Sequence, residues 1–281
     1  MDLLQLQHTV LQAGFHREYT LFQLSDAHLV YADEASSPED VRLYHDEVTR
    51  WYSIKRDFAA IYGEVCDERY DIEPCLLLQK LMDHAVHSGA QALLISGDVM
   101  ETITESALRY LRNLFAAYPL PILFCPGNHC LEDAQDPENL YPKLGTLIPD
   151  PEFQILDMEE FRIIAVDDSR KTVSDRVLHL LREALCDPRP ILLMLHIPLK
   201  LGEFAQKAED LLQDPYWLVD GETCGENAAA LLQLVRENAH RFLAVLSGHV
   251  HGNIEGVIAP GLMQITTSSA LIGQGRLIRI S

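Results

Sequence analysis

Short apolar segments alternate along the chain with segments in which apolar residues recur at helical spacing. Several of the short segments, among them 92–96 and 242–246, have no polar face, which is typical of sheet strands buried on both sides. The pattern predicts ten strands, at residues 19–24, 92–96, 121–125, 153–156, 162–166, 191–195, 242–246, 254–258, 262–266 and 277–280.

Helix starts can be recognised between these strands. Ser37 precedes a proline and two acidic residues, an N-cap signature, and helical periodicity then continues to Gly63. Thr223 and Glu226 resemble a capping box that opens a helix through Val235. Further helices are predicted at about 74–88, 104–117 and 175–185. This alternation, with a β-rich end after residue 242, indicates an α/β protein with packed sheets inside and helices outside.

Composition excludes several function classes. The net charge of −20 argues against a surface that binds duplex nucleic acid, because an acidic protein surface repels phosphates. Two segments hold most of this charge: residues 33–73 have twelve acidic and five basic side chains, and residues 131–160 have nine and one. No apolar run approaches the roughly 18 residues of a membrane span, so no membrane association is expected.

The N-terminus and the cysteines predict a compartment. The first residues lack a basic region ahead of an apolar stretch, so no signal peptide is expected. Six cysteines are spread without CxxC spacing, which favours a reduced, cytoplasmic protein. Because no internal repeat or long linker divides the chain, residues 1–281 are expected to form one domain.

Side chains that can bind metals follow five of the predicted strands directly. In α/β sheets, ligand sites form beyond the carboxyl ends of strands, so these side chains are expected to converge. Residues i and i+2 of an extended segment point to the same side, so a D-x-H or H-x-H segment presents two side chains to one cation. Such oxygen and imidazole donors suit Mn²⁺, Fe or Zn²⁺. The segments are Ser25-Asp26-Ala27-His28, Gly97-Asp98-Val99-Met100-Glu101, Gly127-Asn128-His129-Cys130, His196-Ile197-Pro198 and Gly248-His249-Val250-His251.

Together these segments resemble the calcineurin-like metallophosphoesterase superfamily, whose pattern is D-x-H, G-D-x-x-[DE], G-N-H-[DE], a lone H and G-H-x-H. The resemblance spans residues 24–252. It implies a four-layer α/β/β/α sandwich of two packed mixed sheets, with a dimetal site at the C-terminal ends of strands. It also implies two divalent metal ions (Mn²⁺, Fe²⁺/Fe³⁺ or Zn²⁺) and hydrolysis of phosphomonoesters or phosphodiesters by a metal-bridging hydroxide.

The resemblance assigns roles to individual residues. Asp98 resembles the carboxylate that bridges both metals, and His129 resembles the histidine that stabilises the transition state or protonates the leaving oxygen. The other metal ligands that the resemblance implies are Asp26, His28 and His251 for the first ion, and Asn128, His196 and His249 for the second.

One position departs from the family pattern. Cys130 follows His129 where the family usually has Asp or Glu, and a neutral thiol neither orients that histidine nor raises its pKa as a carboxylate does. Two hypotheses follow: the enzyme favours good leaving groups, or another acid such as Glu132 or Asp133 substitutes. Cys130 as a redox-sensitive thiol is a third interpretation.

The segments between the motifs are candidates for substrate contacts. An acidic, aromatic-bearing helical insertion at about 31–73 forms either a lid over the site or a decoration packed on the sheet. Its aromatic residues Trp51, Tyr52 and Phe58 are spaced more like core residues than like a base-stacking surface. Residues 200–227 form a second variable stretch that includes Tyr216 and Trp217. Four cations are candidates to bind a second anionic group: Arg170, Lys171, Lys200 and Arg276.

Three functions are compatible with these features. The preferred one is hydrolysis of a small phosphate ester, nucleotide-like or similar. A phosphoprotein phosphatase is an alternative, although the G-N-H segment lacks an arginine-rich continuation. A non-catalytic scaffold of the same fold is the third, and the intact set of ligands argues against it.

Overall fold

The computed structural model describes residues 3–130, 137–214 and 217–281. In this part of the chain eleven strands form two sheets, and seven α-helices accompany them. The strands are β1 (Gln5–Leu11), β2 (Tyr19–Leu24), β3 (Ala92–Ser96), β4 (Ile122–Cys125), β5 (Phe153–Asp157), β6 (Arg162–Val166), β7 (Ile191–Met194), β8 (Phe242–Ser247), β9 (Glu255–Ala259), β10 (Leu262–Thr266) and β11 (Gln274–Ile280). The helices are α1 (Pro38–Tyr62), α2 (Pro74–His87), α3 (Glu105–Ala117), α4 (Pro137–Leu144), α5 (Asp175–Ala184), α6 (Gly202–Leu212) and α7 (Glu226–Glu237).

Both sheets are mixed. The first has the strand order β1-β11-β2-β3-β4, in which only the β11–β2 pair is antiparallel. The second has the order β5-β6-β7-β8-β10-β9, with parallel pairing from β6 through β10 and an antiparallel strand at each edge. Strands β2, β3 and β4 are mutually parallel, as are β7 and β8. Within each sheet the carboxyl ends of these strands therefore lie on the same side.

Three apolar clusters define four layers. One cluster combines residues of both sheets, such as Leu94 and Leu192, and is the core between the sheets. A second joins the outer face of the first sheet to α2, α3 and α4, and a third joins the second sheet to α5, α6 and α7. The predicted α/β/β/α sandwich is therefore confirmed.

Strand β2 shows why the central strands have no polar face. Tyr19 and Leu21 point into the core between the sheets, whereas Phe22 and Leu24 pack in the cluster that contains the helices. Because successive side chains alternate between two buried layers, both sets are largely apolar, and the buried exception Gln23 has hydrogen-bond partners.

The predicted helix of the insertion is confirmed as α1. The Ser37 hydroxyl accepts a hydrogen bond from the Asp40 amide at its start, and Gly63 ends it in the left-handed conformation. The buried residues Trp51, Lys55 and Ala59 recur four residues apart and mark its inner face. No helix in the described ranges is both long and apolar enough to cross a bilayer.

Three elements and one helix cap differ from the sequence predictions. Strand β1 was not predicted, because it is a sheet edge with partly exposed glutamine and histidine side chains. Helix α4 was missed because Pro142 lies inside it, and α6 was also missed. The capping box at Thr223 is wrong: α7 begins at Glu226 after Gly225, whose φ is 94°, and no side chain caps it.

Arg276 in β11 is a buried structural cation. It is 1% exposed and its guanidinium donates to the Glu255 carboxylate, to the hydroxyls of Thr9 and Thr267 and to the Thr266 carbonyl. The expectation that Arg276 binds an anionic group of the substrate is therefore wrong, since its donors are engaged inside the protein.

Replacement of this cation is expected to cost stability. Arg276→Met leaves buried acceptors unpaired and should lower the free energy of unfolding by about 3 kcal/mol, measured by urea denaturation. Arg279→Met is the matched control, because Arg279 is exposed on the same strand, and should change the free energy by less than about 0.5 kcal/mol. Equal effects of the two substitutions would contradict this account.

Candidate active site

The loops that follow β2, β3, β4, β7 and β8 bring the predicted side chains together. The donor atoms form three overlapping groups, and within each group they lie within 4.8 Å of one another. The groups are Asp26, His28 and His251; His28, Asp98 and His129; and Asp98, His196 and His249. Asn128 joins the last group, because its Oδ1 lies 3.2 Å from His196 Nε2. All eight predicted site residues therefore converge.

The backbone at these donors is strained. Only seven non-glycine residues have positive φ in the described ranges, and five of them are candidate donors: Asp26, His28, Asp98, His249 and His251. Left-handed backbone costs such residues of the order of 1–3 kcal/mol each and persists where the surrounding structure imposes it. Its concentration at these donors indicates that the loops are shaped for function.

Two motif glycines are required by close approach. Gly97 has a φ of 94°, and a Cβ there would overlap the imidazole of His196. A Cβ at Gly248 would overlap the hydroxyl of Ser25 and crowd the Asp26 carboxylate. These positions therefore admit only glycine if the loops are to pack against each other.

The two buried carboxylates each tie one loop to another. Asp26 Oδ2 accepts from the His249 amide at 2.9 Å, and its Oδ1 lies 3.3 Å from His251 Nε2. Asp98 Oδ1 accepts from the His129 amide at 3.1 Å, and its Oδ2 lies 3.0 Å from His196 Nε2. One oxygen of each carboxylate thus orders the backbone while the other faces imidazole nitrogens.

The donor set fits bound cations. His28 Nε2 and His251 Nε2 face each other at 2.9 Å, a separation suited to two ligands of one ion with bonds of about 2.0–2.1 Å. Five buried side-chain atoms of the described residues make no hydrogen bond, and two of them belong to candidate donors: Asp26 Oδ1 and His249 Nε2. Because buried polar atoms are normally paired, a cation is the partner that this chemistry requires.

Charge in the cluster also favours cations. Burial disfavours the charged form of Asp26, but the interactions with His251 and His196 together outweigh it and lower the pKa of the carboxyl to about 2. Burial holds the pKa of His249 and His28 below the ordinary value, so both imidazoles are in the neutral form that binds metals. Burial lowers the pKa of His196, but Asp98 outweighs it and raises it to about 10. Metal binding there is therefore coupled to release of a proton.

Glu101 supplies the carboxylate that Cys130 does not. Its Oε2 lies 2.8 Å from His28 Nδ1 and 3.1 Å from His129 Nδ1, and its Oε1 accepts from Arg50. Burial opposes its ionisation, but hydrogen bonds from His129 and His28 outweigh it and lower the pKa of Glu101 to about 2. The sequence contained this residue in the G-D-x-x-[DE] motif, but its pairing with His129 depends on the fold.

Cys130 is an internal thiol. It is fully buried, and burial raises its pKa above the ordinary value, which opposes a redox role. Glu132 and Asp133, the predicted substitutes for the missing acid, lie outside the described residues. With Glu101 bonded to His129, the thiol is not needed to orient that histidine.

Asp168, at the end of β6, holds the His196 loop and was not predicted. Its two carboxylate oxygens accept from the amides of His196 and Ile197 at 2.8 and 3.0 Å. The signal was the acidic pair Asp167-Asp168 directly after an apolar strand, but only the pairing of β6 with β7 reveals the partner of Asp168.

The insertion covers one side of the site instead of packing only on the sheet. The Trp51 ring lies 4.1 Å from the His28 ring, and the Phe58 ring stacks on His251 at 4.1 Å. From the second variable stretch, Trp217 lies 5.3 Å from His249. The interpretation of Phe58 as a core residue is therefore wrong, whereas Trp51 is buried as expected but against a candidate metal ligand. Tyr216 lies outside the described residues.

Comparisons with known proteins agree with this geometry. Residues 20–253 match the calcineurin-like phosphoesterase family, and the chain belongs to it. It is thus a metal-dependent phosphoesterase, a hydrolase, with donors for a dinuclear site. No curated protein sequence matches the chain.

Two solved structures are similar in fold. A dimetal phosphatase from Danio rerio has a TM-score of 0.55 at 14% identity, covering 90% of this chain and 88% of that one. A purple acid phosphatase from yellow lupin (Lupinus luteus) has a TM-score of 0.51 at 12% identity, covering 92% of this chain and 45% of the lupin chain. At such identities the likeness concerns the fold alone.

Loss of the Glu101 carboxylate is expected to impair the site. Glu101→Gln removes the negative charge and one acceptor oxygen, so the side chain can no longer accept from both imidazoles through one oxygen and from Arg50 through the other. His28 and His129 then lose their common orientation. Metal affinity or turnover should fall about 10- to 100-fold, measured by calorimetric metal titration and by steady-state kinetics.

Glu47→Gln is the matched control, since Glu47 also pairs with Arg50 but is not one of the candidate site residues. It should keep metal affinity and turnover within about twofold of wild type. A Glu101→Gln protein as active and as metal-avid as wild type would refute the assigned role.

Proposed function

We propose that this protein is a dinuclear metal-dependent phosphohydrolase that cleaves a small phosphomonoester or phosphodiester. The supporting observation is that Asp98 belongs to two donor groups, one with His28 and His129 and the other with His196 and His249. A carboxylate shared in this way is what two neighbouring cations require of a bridging ligand.

We assign the donors accordingly. Asp26, His28, Asp98 and His251 would hold the first ion, and Asp98 would also serve the second. The remaining ligands of the second ion would be Asn128, His196 and His249. Donors of this kind suit Mn²⁺, iron or Zn²⁺. When bound, the two ions would supply Lewis acidity toward phosphoryl oxygens and lower the pKa of water.

The residues of the chain itself handle the leaving group. His129 has a partly exposed side chain, and its Nδ1 lies 3.1 Å from Glu101. This hydrogen bond directs Nε2 away from Glu101, and Nε2 is the atom that would donate a proton to the leaving oxygen or stabilise its charge. Glu101 acts through His129 by fixing the orientation of the ring.

Charge limits the size of the substrate. The acidic segment at 31–73 includes the helix that packs against the site, and negative charge there repels a long polyanion. We therefore favour a small phosphate ester over duplex nucleic acid.

We further propose that residues 1–281 act as one phosphoesterase domain. All six cysteines are unpaired thiols, which supports the cytoplasmic location expected from their spacing.

Removal of a donor should abolish activity and metal binding together. Asp98→Asn and His249→Ala should each lower hydrolysis of p-nitrophenyl phosphate and bis-p-nitrophenyl phosphate by about 10³-fold, since several kcal/mol of charge stabilisation are lost. The same variants should bind fewer manganese ions, measured by elemental analysis after dialysis.

His179→Ala serves as the control, because this histidine lies exposed on α5 and should leave both readouts unchanged. A chelator should inactivate the wild type, and Mn²⁺ should restore it. If the manganese-loaded wild type cleaves neither ester, the proposed function is wrong, and the scaffold alternative gains support.

A further inference from the structure

Three aromatic rings pack against histidines of the candidate metal site. Trp51 and Phe58 from α1 lie against His28 and His251, each at a ring distance of 4.1 Å. Trp217, from the loop between α6 and α7, contacts the His249 ring at 5.3 Å. None of these three aromatic residues belongs to a motif that carries donors, so the donor chemistry alone does not explain them.

The rings differ in accessibility. Trp51 is 3% exposed and is an internal support for His28. Phe58 and Trp217 are partly exposed, as are Asn128 and His129, whereas the other six candidate donors are buried. The Phe58 and Trp217 rings also meet edge to face, with centroids 6.4 Å apart. These two partly exposed rings thus form a continuous aromatic wall beside His249 and His251.

Several nearby cations are engaged by the protein itself. Arg50 pairs with Glu47 and Glu101. Lys200 pairs with Glu209 and Asp220 at 3.0 Å. Arg276 is buried in β11, as described above. Neither Lys200 nor Arg276 therefore offers a subsite for a second phosphate, and the wall beside the donors is apolar.

We propose that Phe58 and Trp217 are specificity-determining residues that bind a planar aromatic group on the ester oxygen of the substrate. The inference rests on the proposed phosphohydrolase function and adds to it the class of alcohol that the enzyme prefers. Aromatic rings stack in offset or edge-to-face geometry and gain from these arrangements beyond their apolar area. The same surface accommodates an aryl group or a nucleobase, because both present a π face.

A binding experiment separates aromatic recognition from general hydrophobicity. Non-hydrolysable 2-phenylethylphosphonate and 2-cyclohexylethylphosphonate have the same phosphonate and linker, but only the first has a π face. Each is titrated by calorimetry into the full-length, manganese-loaded protein. The phenyl compound should bind about tenfold more tightly, although hydrophobicity alone favours the cyclohexyl compound. Equal binding, or tighter binding of the cyclohexyl compound, would overturn the inference.

Variants test which rings are responsible. Phe58→Leu and Trp217→Leu retain apolar side chains and should each reduce the phenyl preference to below about threefold, whereas Phe58→Tyr should keep it. Tyr44→Leu is the matched control, because Tyr44 lies on the same helix and bonds to Glu73 away from the site, and it should also keep the preference. A preference that survives in both leucine variants would contradict the assignment.

Hydrolysis distinguishes this inference from the function on which it rests. Turnover of p-nitrophenyl phosphate without any aromatic binding preference would overturn the inference and leave the proposed function intact. A clear binding preference without turnover of either nitrophenyl ester would refute the proposed function, and the aromatic wall would remain a ligand-binding surface. Manganese content of each variant shows that a changed preference does not result from loss of metal.

Discussion

The concentration of donor atoms in one buried volume is the constraint on which the site depends. Carboxylates of Asp26 and Asp98 stay ionised there, and Asp26 Oδ1 and His249 Nε2 lack hydrogen bonds. Burial of such a cluster of donor groups is energetically unfavourable unless cations neutralise and coordinate them. Backbone strain at five donors adds to the cost. Folding therefore prepares a site whose polar groups are satisfied by metal binding.

The sandwich offsets this cost with rigid support. Parallel strands of two sheets end beside one another, and buried carboxylates fix three of the five loops that carry donors. Asp26 binds the His249 amide, Asp98 binds the His129 amide, and Asp168 binds the amides of the His196 loop. The bonds to Asp26 and Asp98 are charge-assisted, because both carboxyls stay ionised, and such bonds are stronger than neutral ones. These bonds help to hold the strained donors in one geometry, and Trp51 of the insertion adds support to His28.

Sequence patterns predicted the part of this arrangement that local chemistry determines. The central strands were recognised because both of their faces are buried, and the donors because they follow those strands directly. Contacts between distant segments were missed. The pairing of Glu101 with His129 and the packing of Phe58 on His251 depend on tertiary geometry. Strand β1 was missed because a half-exposed edge strand lacks a strong apolar pattern.

The central claim is that one buried donor set holds two metal ions that share Asp98. Anomalous diffraction from crystals of the manganese-loaded protein measures this directly, because each ion gives a separate peak. The account predicts two peaks per chain, about 3.5–4 Å apart, one beside Asp26 and His251 and the other beside His196 and His249. A single peak, or ions bound elsewhere on the acidic surface, would contradict it.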